Sequence, residues 1–331
     1  MTELTPSAVR AHMTSATPEW LDWQSRVPDT LDACRRRWDL EIGDVLAERI
    51  SSRLHRVRLR GRAAVLKLTR PGPHLTQQAN VLEAARGRGY VHLYERDDQA
   101  GALLLEELGE SAELRADARF ADLPAEAVLR AMQDGALLEP VVATLHEAWQ
   151  VPLEVAPEPT AATHKAAQLA SMIDRLADEL DVRGTHGAAI DRALTYAGQR
   201  LSVSDVTTPV LCHGDPHLGN LLAVTSPRPG ATAGYVYVDP DGFRCEPEYD
   251  LGVVLRGFNR VVLAAEDPVV EVRGWCAALA APTDTDAEAI WQWALIERVG
   301  AGLYLMDHGW RDRGRHFLDA ATWLIARKGR A

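Results

Sequence analysis

Several features that mark other classes of protein are scarce or missing in this sequence. Its four cysteines form no C-x-x-C pair and have no zinc-ligand spacing, which argues against a metal knot or a disulfide scaffold. No apolar run approaches the roughly 20 residues that span a bilayer. The segment 1–20 lacks the basic start and apolar run of a signal peptide. We therefore expect a cytoplasmic protein with no membrane partner.

Positive charge and aromatic residues are also in short supply. The chain has 47 Asp and Glu against 36 Lys and Arg, a formal net charge of -11 and a pI of about 5.5, and 6% aromatic residues. An acidic protein repels the phosphates of nucleic acids, and no basic stripe with interleaved aromatic residues offsets that repulsion. We therefore expect no nucleic-acid partner, and a surface that favours cationic ligands.

The order of predicted elements favours an α+β fold. The chain has 331 residues, 47% of them apolar, which suffices for two globular units. The segment 38–107 predicts a compact antiparallel sheet with one helix, in the order β-β-β-α-β-β. The strands are predicted at Trp38–Val45, Arg53–Arg60, Ala63–Leu68, Tyr90–Tyr94 and Ala102–Glu107, and the helix at Leu75–Arg86.

Beyond Gly109 the apolar residues have mostly helical spacing. We place a lobe boundary there, between residues 1–108, a small lobe with a helical N-terminal extension, and residues 109–331, a mostly helical lobe. Helices are predicted at Pro124–Trp149, His164–Leu180, Ala188–Leu201, Ile290–Met306 and His316–Ile325, and short strands at Val210–Cys212 and Tyr235–Val238.

One constellation carries the residue types that phosphoryl transfer needs. An apolar strand leads into a loop with Asp215 and, five positions later, Asn220, and a second apolar strand ends in Asp239. One carboxylate can accept the proton of a hydroxyl, while an amide oxygen and a second carboxylate hold Mg²⁺ against phosphates. The alternative is that these residues only cap turns. The residues upstream favour the chemical interpretation.

The pattern H-G-D-x-x-x-x-N around Asp215 resembles the catalytic loop of the aminoglycoside phosphotransferases and their protein-kinase relatives. The resemblance implies a two-lobed, protein-kinase-like fold with a small antiparallel-sheet lobe and a mostly helical one. It also implies that Asp215 is the catalytic base, that Asn220 and Asp239 are magnesium ligands, and that His213 supports the loop.

The segment after Asp239 is most similar to the branch of streptomycin 6-phosphotransferases and hydroxyurea phosphotransferases. It carries D-P-x-G before Y-D-L. Within that resemblance, Asp250 anchors the catalytic loop, and Asp241 is a residue that can face the substrate. Only ten residues separate Asp239 from Asp250. This leaves no room for the long activation segment with which protein kinases dock peptides, so a small acceptor is expected.

The upstream residues follow the same resemblance. Lys67, in the third strand, corresponds to the lysine that pairs with the α- and β-phosphates. No G-x-G-x-x-G lies between the first two strands, and the serine-bearing loop of aminoglycoside kinases points to Ser51 and Ser52 as phosphate contacts. Backbone groups from Glu106 to Leu108 would hydrogen-bond adenine at the hinge between the lobes.

The acidic partner of Lys67 is open at this stage. The family usually has a glutamate one turn into the following helix, but here Gln77, Gln78 and Asn80 hold those positions. Glu83 is the nearest carboxylate, and it can equally be an exposed helix charge.

The function expected from these features is ATP- and Mg²⁺-dependent phosphorylation of a small-molecule hydroxyl, with GTP not excluded as donor. An aminoglycoside such as streptomycin is the leading acceptor. The alternatives are another hydroxylated antibiotic or metabolite, and a catalytically silent nucleotide-binding scaffold. The presence of Asp215, Asn220 and Asp239 speaks against the silent scaffold. The sequence leaves the phosphorylated hydroxyl and the oligomeric state open.

Overall fold

The computed structural model describes residues 18–48, 52–112, 138–205 and 207–326. The predicted phosphate contact Ser51, and most of the helix predicted to start at Pro124, lie outside these ranges. Across the part of the chain that the structure describes, every helix is too short or too polar to cross a membrane.

The N-terminal part is a twisted antiparallel sheet between two helices. Its strands lie in the order β1-β2-β3-β5-β4. The tight turn from β2 to β3 is made at Arg60 and Gly61, whose φ angles of 50° and 81° suit a two-residue hairpin. The elements are α1 (Pro18–Trp38), β1 (Leu40–Glu48), β2 (Ser52–Leu59), β3 (Arg62–Thr69), α2 (Pro73–Ala85), β4 (Leu93–Asp97) and β5 (Ala102–Glu106).

The two faces of this sheet bury different residues. Ala64, Leu66 and Leu68 of β3 belong to a core cluster with Trp38 of α1, because alternate side chains of a strand point to one face. Lys67 lies on the opposite face, directly across from Leu103 of β5, which packs in the cluster that contains α2. The strand period therefore directs the lysine away from α1 and toward the space between the lobes.

The C-terminal part is mostly helical. Its central helix, α9 (Ala287–Asp307), buries residues on every face, as expected for a helix that neighbours enclose, and it packs against α4, α5, α6, α8 and α10. The elements are β6 (Leu108–Ser111), α3 (Glu139–Ala148), α4 (Lys165–Glu179), α5 (Arg183–Ser202), β7 (Val210–Cys212), β8 (Leu221–Val224), β9 (Tyr235–Tyr237), β10 (Phe243–Cys245), α6 (Pro247–Leu255), α7 (Asn259–Ala264), α8 (Pro268–Thr283), α9 (Ala287–Asp307) and α10 (Arg311–Ala326).

Two small sheets frame the loops of the C-terminal part. One has the strand order β6-β8-β9, and the other pairs β7 with β10. The paired strands bring the loop after β7 next to the loop after β9, where Asp215 and Asp239 lie. Strands β8 and β10 were not predicted; their pairing with β6, β9 and β7 defines them.

One predicted strand is displaced in the structure. The apolar run Tyr90–Tyr94 predicts a strand, but β4 begins only at Leu93. The Val91 amide instead donates to the Tyr237 carbonyl, and the Tyr237 amide donates to the Gly89 carbonyl, both at 2.9 Å. The start of the run is apolar because it packs against β9, outside the five-stranded sheet.

Candidate active site

A buried carboxylate, that of Asp250, holds the loop after β7 in place. Asp250 accepts hydrogen bonds from the backbone amides of His213 and Gly214, at 2.8 and 2.9 Å, and from the indole N–H of Trp149 at 2.9 Å. Its side chain is fully buried. Asp250 thus anchors the loop that carries Asp215, as predicted.

His213 completes the support of this loop. Its Nδ1 accepts from the Asp215 amide at 3.1 Å, so the proton lies on Nε2, which donates to the Val238 carbonyl at 2.9 Å. Burial lowers the pKa of His213 to about 4. The neutral ring thus ties the loop that carries Asp215 to the segment that carries Asp239.

Gly214 is required by the crowding of this turn. Its φ is 94°, and a Cβ there would lie 2.7 Å from the Cβ of Asp241 and 2.8 Å from the ring of Phe243. Only glycine allows the segment after Asp239 to approach the catalytic loop so closely. The Asp241 amide donates to the His213 carbonyl at 2.8 Å and fixes this approach.

Asp215 lies at the cleft in contact with a cation that the sequence interpretation missed. Arg256, at the end of α6, donates to Asp215 Oδ1 through Nη2, and to Glu297 Oε2 through Nη1 at 2.6 Å. Burial opposes ionisation of Asp215, but Arg256, His217 and His213 outweigh it and hold its pKa below the usual value. Asp215 is therefore a carboxylate at neutral pH, as a proton acceptor must be.

Asn220 and Asp239 provide the donor set that Mg²⁺ prefers. The Asn220 side-chain nitrogen donates to the Asp215 carbonyl at 3.0 Å, which leaves the amide oxygen as the atom that could ligate a metal. Asp239 has a φ of 58°, a left-handed conformation that is uncommon outside glycine and recurs at functional sites. One amide oxygen and one carboxylate suit a cation that keeps several waters, so these residues fit magnesium.

Lys67 reaches this group from the N-terminal sheet. Its Nζ lies 2.7 Å from Asp239 Oδ1 and 3.1 Å from Gln78 Oε1. Glu83 is not its partner: that carboxylate is 69% exposed and pairs with Arg96 at 3.1 Å. The partner of Lys67 on α2 is therefore the amide side chain of Gln78 and not a carboxylate.

The part of the cleft around Asp241 carries charges of both signs. Lys165, at the start of α4, lies 4.8 Å from the ring centroid of Phe243, and His74 Nδ1 lies 3.9 Å from Asp241 Oδ1. Burial and the charge of Asp215 raise the pKa of Asp241, and Lys165 lowers it in part. Asp241 keeps 37% of its side chain exposed, so it can meet a ligand in the cleft.

The residues predicted to contact adenine lie where β5 passes into β6. The Glu106 carboxylate is engaged by Arg228, from the loop between β8 and β9, at 2.7 and 2.8 Å. The Glu106 amide donates to the His92 carbonyl at 2.9 Å. Leu108 pairs with Val224 of β8. Ser52 is 5% exposed at the start of β2, and lies in the strand that pairs with the lysine-bearing β3.

A five-stranded antiparallel sheet with a cleft lysine, joined to a helical part with the Asp215, Asn220 and Asp239 constellation, defines a protein-kinase-like phosphotransferase. The family of aminoglycoside/hydroxyurea antibiotic resistance kinases matches residues 37–309. The chain belongs to this family. A comparison with curated protein sequences gives no significant match.

Solved structures show the same fold. The complex of a thermostable aminoglycoside phosphotransferase APH(4)-Ia variant with ADP and hygromycin B is 12% identical, with a TM-score of 0.58, over 92% of this chain and 100% of that chain. The apo form of the thermostable enzyme is 14% identical, with a TM-score of 0.57, over 89% and 98%. An ethanolamine kinase of Plasmodium vivax is 12% identical, with a TM-score of 0.50, over 89% and 84%.

Family membership makes the chain a small-molecule kinase, with an alcohol group as the acceptor and ATP and Mg²⁺ as cofactors. The expected fold and family are confirmed. Polar residues at the cleft that the sequence interpretation did not assign include Gln78, Arg256, Lys165 and Arg228. Gln78 alone had a signal, since it stands where the family usually has a glutamate.

Proposed function

We propose that this protein inactivates an antibiotic by transferring the γ-phosphoryl group of ATP to one of its hydroxyls, and that the acceptor is an aminoglycoside such as streptomycin. The observation that carries the proposal is the convergence of Asp215, Asn220, Asp239 and Lys67 on one cleft between the lobes. We further propose that the lobes divide at residues 1–108 and 109–331, and that the protein works in the cytoplasm, where ATP is at hand.

Each cleft residue has one task in the proposed reaction. Asp215 accepts the hydrogen bond of the acceptor hydroxyl, orients its oxygen toward the γ-phosphorus and takes up its proton. Lys67 binds the α- and β-phosphates, together with Ser51 and Ser52. Asn220 and Asp239 hold magnesium, which offsets the negative charge of the phosphates when bound. Backbone groups of the segment from Glu106 to Leu108 bind adenine.

The charges on the acceptor side support a cationic, hydroxyl-rich molecule. Asp241 presents a half-exposed carboxylate beside Asp215, within a chain of net charge -11. Lys165 and Arg256 balance part of this negative charge, so the site also suits the neutral hydroxyls of a sugar. A cationic aminoglycoside would place one of its charged groups against Asp241 and a hydroxyl against Asp215.

Replacing Asp215 with Asn tests the assignment of the base. The amide keeps the size of the carboxylate but cannot accept the proton, so turnover of any acceptor should fall by at least about a hundredfold. Nucleotide affinity, measured by calorimetry with AMP-PNP and Mg²⁺, should change by less than about threefold, because the residue faces the acceptor. A variant with a tenth or more of the wild-type rate would remove Asp215 from this role.

Replacing Asp239 with Asn tests the metal ligand. Loss of the carboxylate should weaken AMP-PNP binding in the presence of Mg²⁺ and raise the Mg²⁺ concentration needed for half-maximal rate about tenfold or more. An unchanged Mg²⁺ dependence would show that Asp239 does not hold the metal.

A further inference from the structure

Three side chains form a closed set of hydrogen bonds where the two lobes meet. Lys67 Nζ donates to Asp239 Oδ1 at 2.7 Å and to Gln78 Oε1 at 3.1 Å, and Gln78 Nε2 donates to the same Asp239 oxygen at 3.3 Å. Lys67 is 8% exposed and Gln78 is 2% exposed. Because both side chains are buried, packing fixes this arrangement.

The charges of the three groups decide which bond dominates. Gln78 is neutral, so the ammonium group of Lys67 has one carboxylate among these contacts, that of Asp239. Hydrogen bonds between charged partners are roughly twice as strong as those to a neutral amide. A glutamate at position 78 would compete with Asp239 for the lysine, whereas the glutamine bridges the pair and leaves the lysine on Asp239.

We propose that Gln78 is a positioning residue that keeps Lys67 on Asp239 until a nucleotide arrives. The inference rests on the proposed roles of Lys67 as a phosphate contact and Asp239 as a metal ligand. The phosphates of ATP offer Lys67 a more negative partner than one carboxylate. When the lysine moves to them, Asp239 is released for the cation. The chain therefore binds a divalent cation strongly only together with the nucleotide.

The test measures binding of Mn²⁺, a probe for magnesium sites, to the full-length chain without nucleotide by electron paramagnetic resonance. Wild-type protein should bind Mn²⁺ alone weakly and gain affinity when AMP-PNP is present. The variant Gln78→Glu should bind Mn²⁺ alone about tenfold more tightly, since its carboxylate holds Lys67 and frees Asp239. Equal Mn²⁺ affinity of the two proteins would overturn the proposal.

A second carboxylate near the site also attracts cations directly, and a double-mutant cycle separates this effect. In the background of Lys67→Met, Asp239 is already released, so the further change Gln78→Glu should raise Mn²⁺ affinity by less than about twofold. A gain as large as in the wild-type background would mean that the added charge acts on the metal without the lysine, and would refute the positioning role.

The matched control is Gln199→Glu, the same chemical change on an exposed position of α5, which should leave Mn²⁺ binding unchanged. Thermal unfolding checks that each variant is folded. Binding of AMP-PNP separates the two levels of the argument. If AMP-PNP does not bind wild-type protein, the proposed function itself fails. If AMP-PNP binds but the Gln78 variant behaves like wild type, only the positioning role fails.

Discussion

At the scale of single residues, Arg256 holds Asp215, the proposed base, in its charged form and in a fixed orientation. The guanidinium joins Asp215 to Glu297, which also accepts from the Tyr249 hydroxyl at 2.6 Å. Arg256 is fixed between two carboxylates, and these neighbours raise its pKa although burial opposes them. A fork of planar N–H donors can hold two carboxylates at once, which the single ammonium of a lysine does less well.

Replacing Arg256 with Met should lower kcat by about a hundredfold, because Asp215 then loses both its counter-charge and its orientation. Arg256→Lys should recover part of the rate. Since the Met variant leaves Glu297 without its cationic partner and can lose stability, the double variant Arg256→Met/Glu297→Gln serves as a second measurement. It should regain thermal stability without regaining activity. A Met variant with more than half the wild-type kcat would show that Arg256 is dispensable.

His213 predicts how the stability of the protein depends on acid. Its folded-state pKa of about 4 lies below the ordinary value of 6.5, because burial disfavours the charged ring, with Asp215 offsetting part of that effect. As the pH falls from 6.5 toward 4, the unfolded chain takes up a proton that the folded chain excludes. Stability therefore decreases across this window, by up to about 3 kcal/mol from this residue.

Urea unfolding at a series of pH values between 7 and 4 measures this contribution. His213→Asn should be less stable than wild type at pH 7 but should lose less stability on acidification. The same change at His316, which is exposed on α10, should leave the acid dependence as in wild type. Parallel acid profiles of the His213 variant and wild type would contradict the assignment.

Residue roles could be predicted where they lie close together in the sequence. Asp215 and Asn220 share one loop, and their spacing of five positions by itself indicates the chemistry. Arg256 comes 41 positions after Asp215, on a helix whose rotation relative to the loop no local pattern states. Gln78 was visible at the right position, but it was not chosen because the expected partner of a lysine is a carboxylate.

At the scale of elements, the loop between β8 and β9 fastens the C-terminal part to the N-terminal sheet. Arg228 from this loop reaches Glu106 at the end of β5 and the carbonyls of Gly87 and Tyr90, at 2.6 and 3.0 Å. The Gly89 amide donates to the Gly230 carbonyl at 2.7 Å. These hydrogen bonds of Arg228 and Gly230 hold together the segments of the two lobes on the side where adenine is proposed to bind.

Replacing Arg228 with Met should destabilise the protein by about 3 kcal/mol, because it leaves the largely buried Glu106 carboxylate without its cationic partner. The two side chains are 13% and 11% exposed. The matched control is Arg175→Met, which breaks an exposed pair with Glu179 at 2.7 Å and should cost less than about 1 kcal/mol. Urea unfolding measures the free energy of unfolding of both variants. An equal decrease in the two would show that the Arg228–Glu106 pair adds no more stability than an exposed pair.

The long strands of the N-terminal sheet could be predicted, and so could the three-residue β7 and β9, whose apolar residues lead into polar loops. Strands β2 and β3 lie within one residue of the predicted Arg53–Arg60 and Ala63–Leu68, since β2 alternates apolar and basic residues and β3 is a mostly apolar run. Strands β8 and β10 have four and three residues, and tertiary pairing alone defines them. Strand β4 starts later than predicted because Tyr90 and Val91 contact β9, which is distant in the sequence, and do not join the five-stranded sheet.

At the scale of the whole molecule, the site exists only where the two lobes meet. Lys67 comes from the N-terminal sheet and Asp239 from the C-terminal part, 172 positions later in the chain. The architecture of an antiparallel sheet followed by helices followed from the order of elements in the sequence. Which side chains face one another across the cleft depends on the packing between the lobes, and the local sequence pattern does not predict that packing.

The measurement that tests this account most directly is detection of a phosphorylated product by mass spectrometry. Purified protein is incubated with ATP and Mg²⁺ and a panel of streptomycin, other aminoglycosides and unrelated hydroxylated antibiotics. The account predicts one added phosphoryl group on streptomycin or another aminoglycoside, formed only with ATP and Mg²⁺, and none with Asp215→Asn. A panel left unmodified by protein that binds AMP-PNP, or a product formed equally fast by Asp215→Asn, would contradict it.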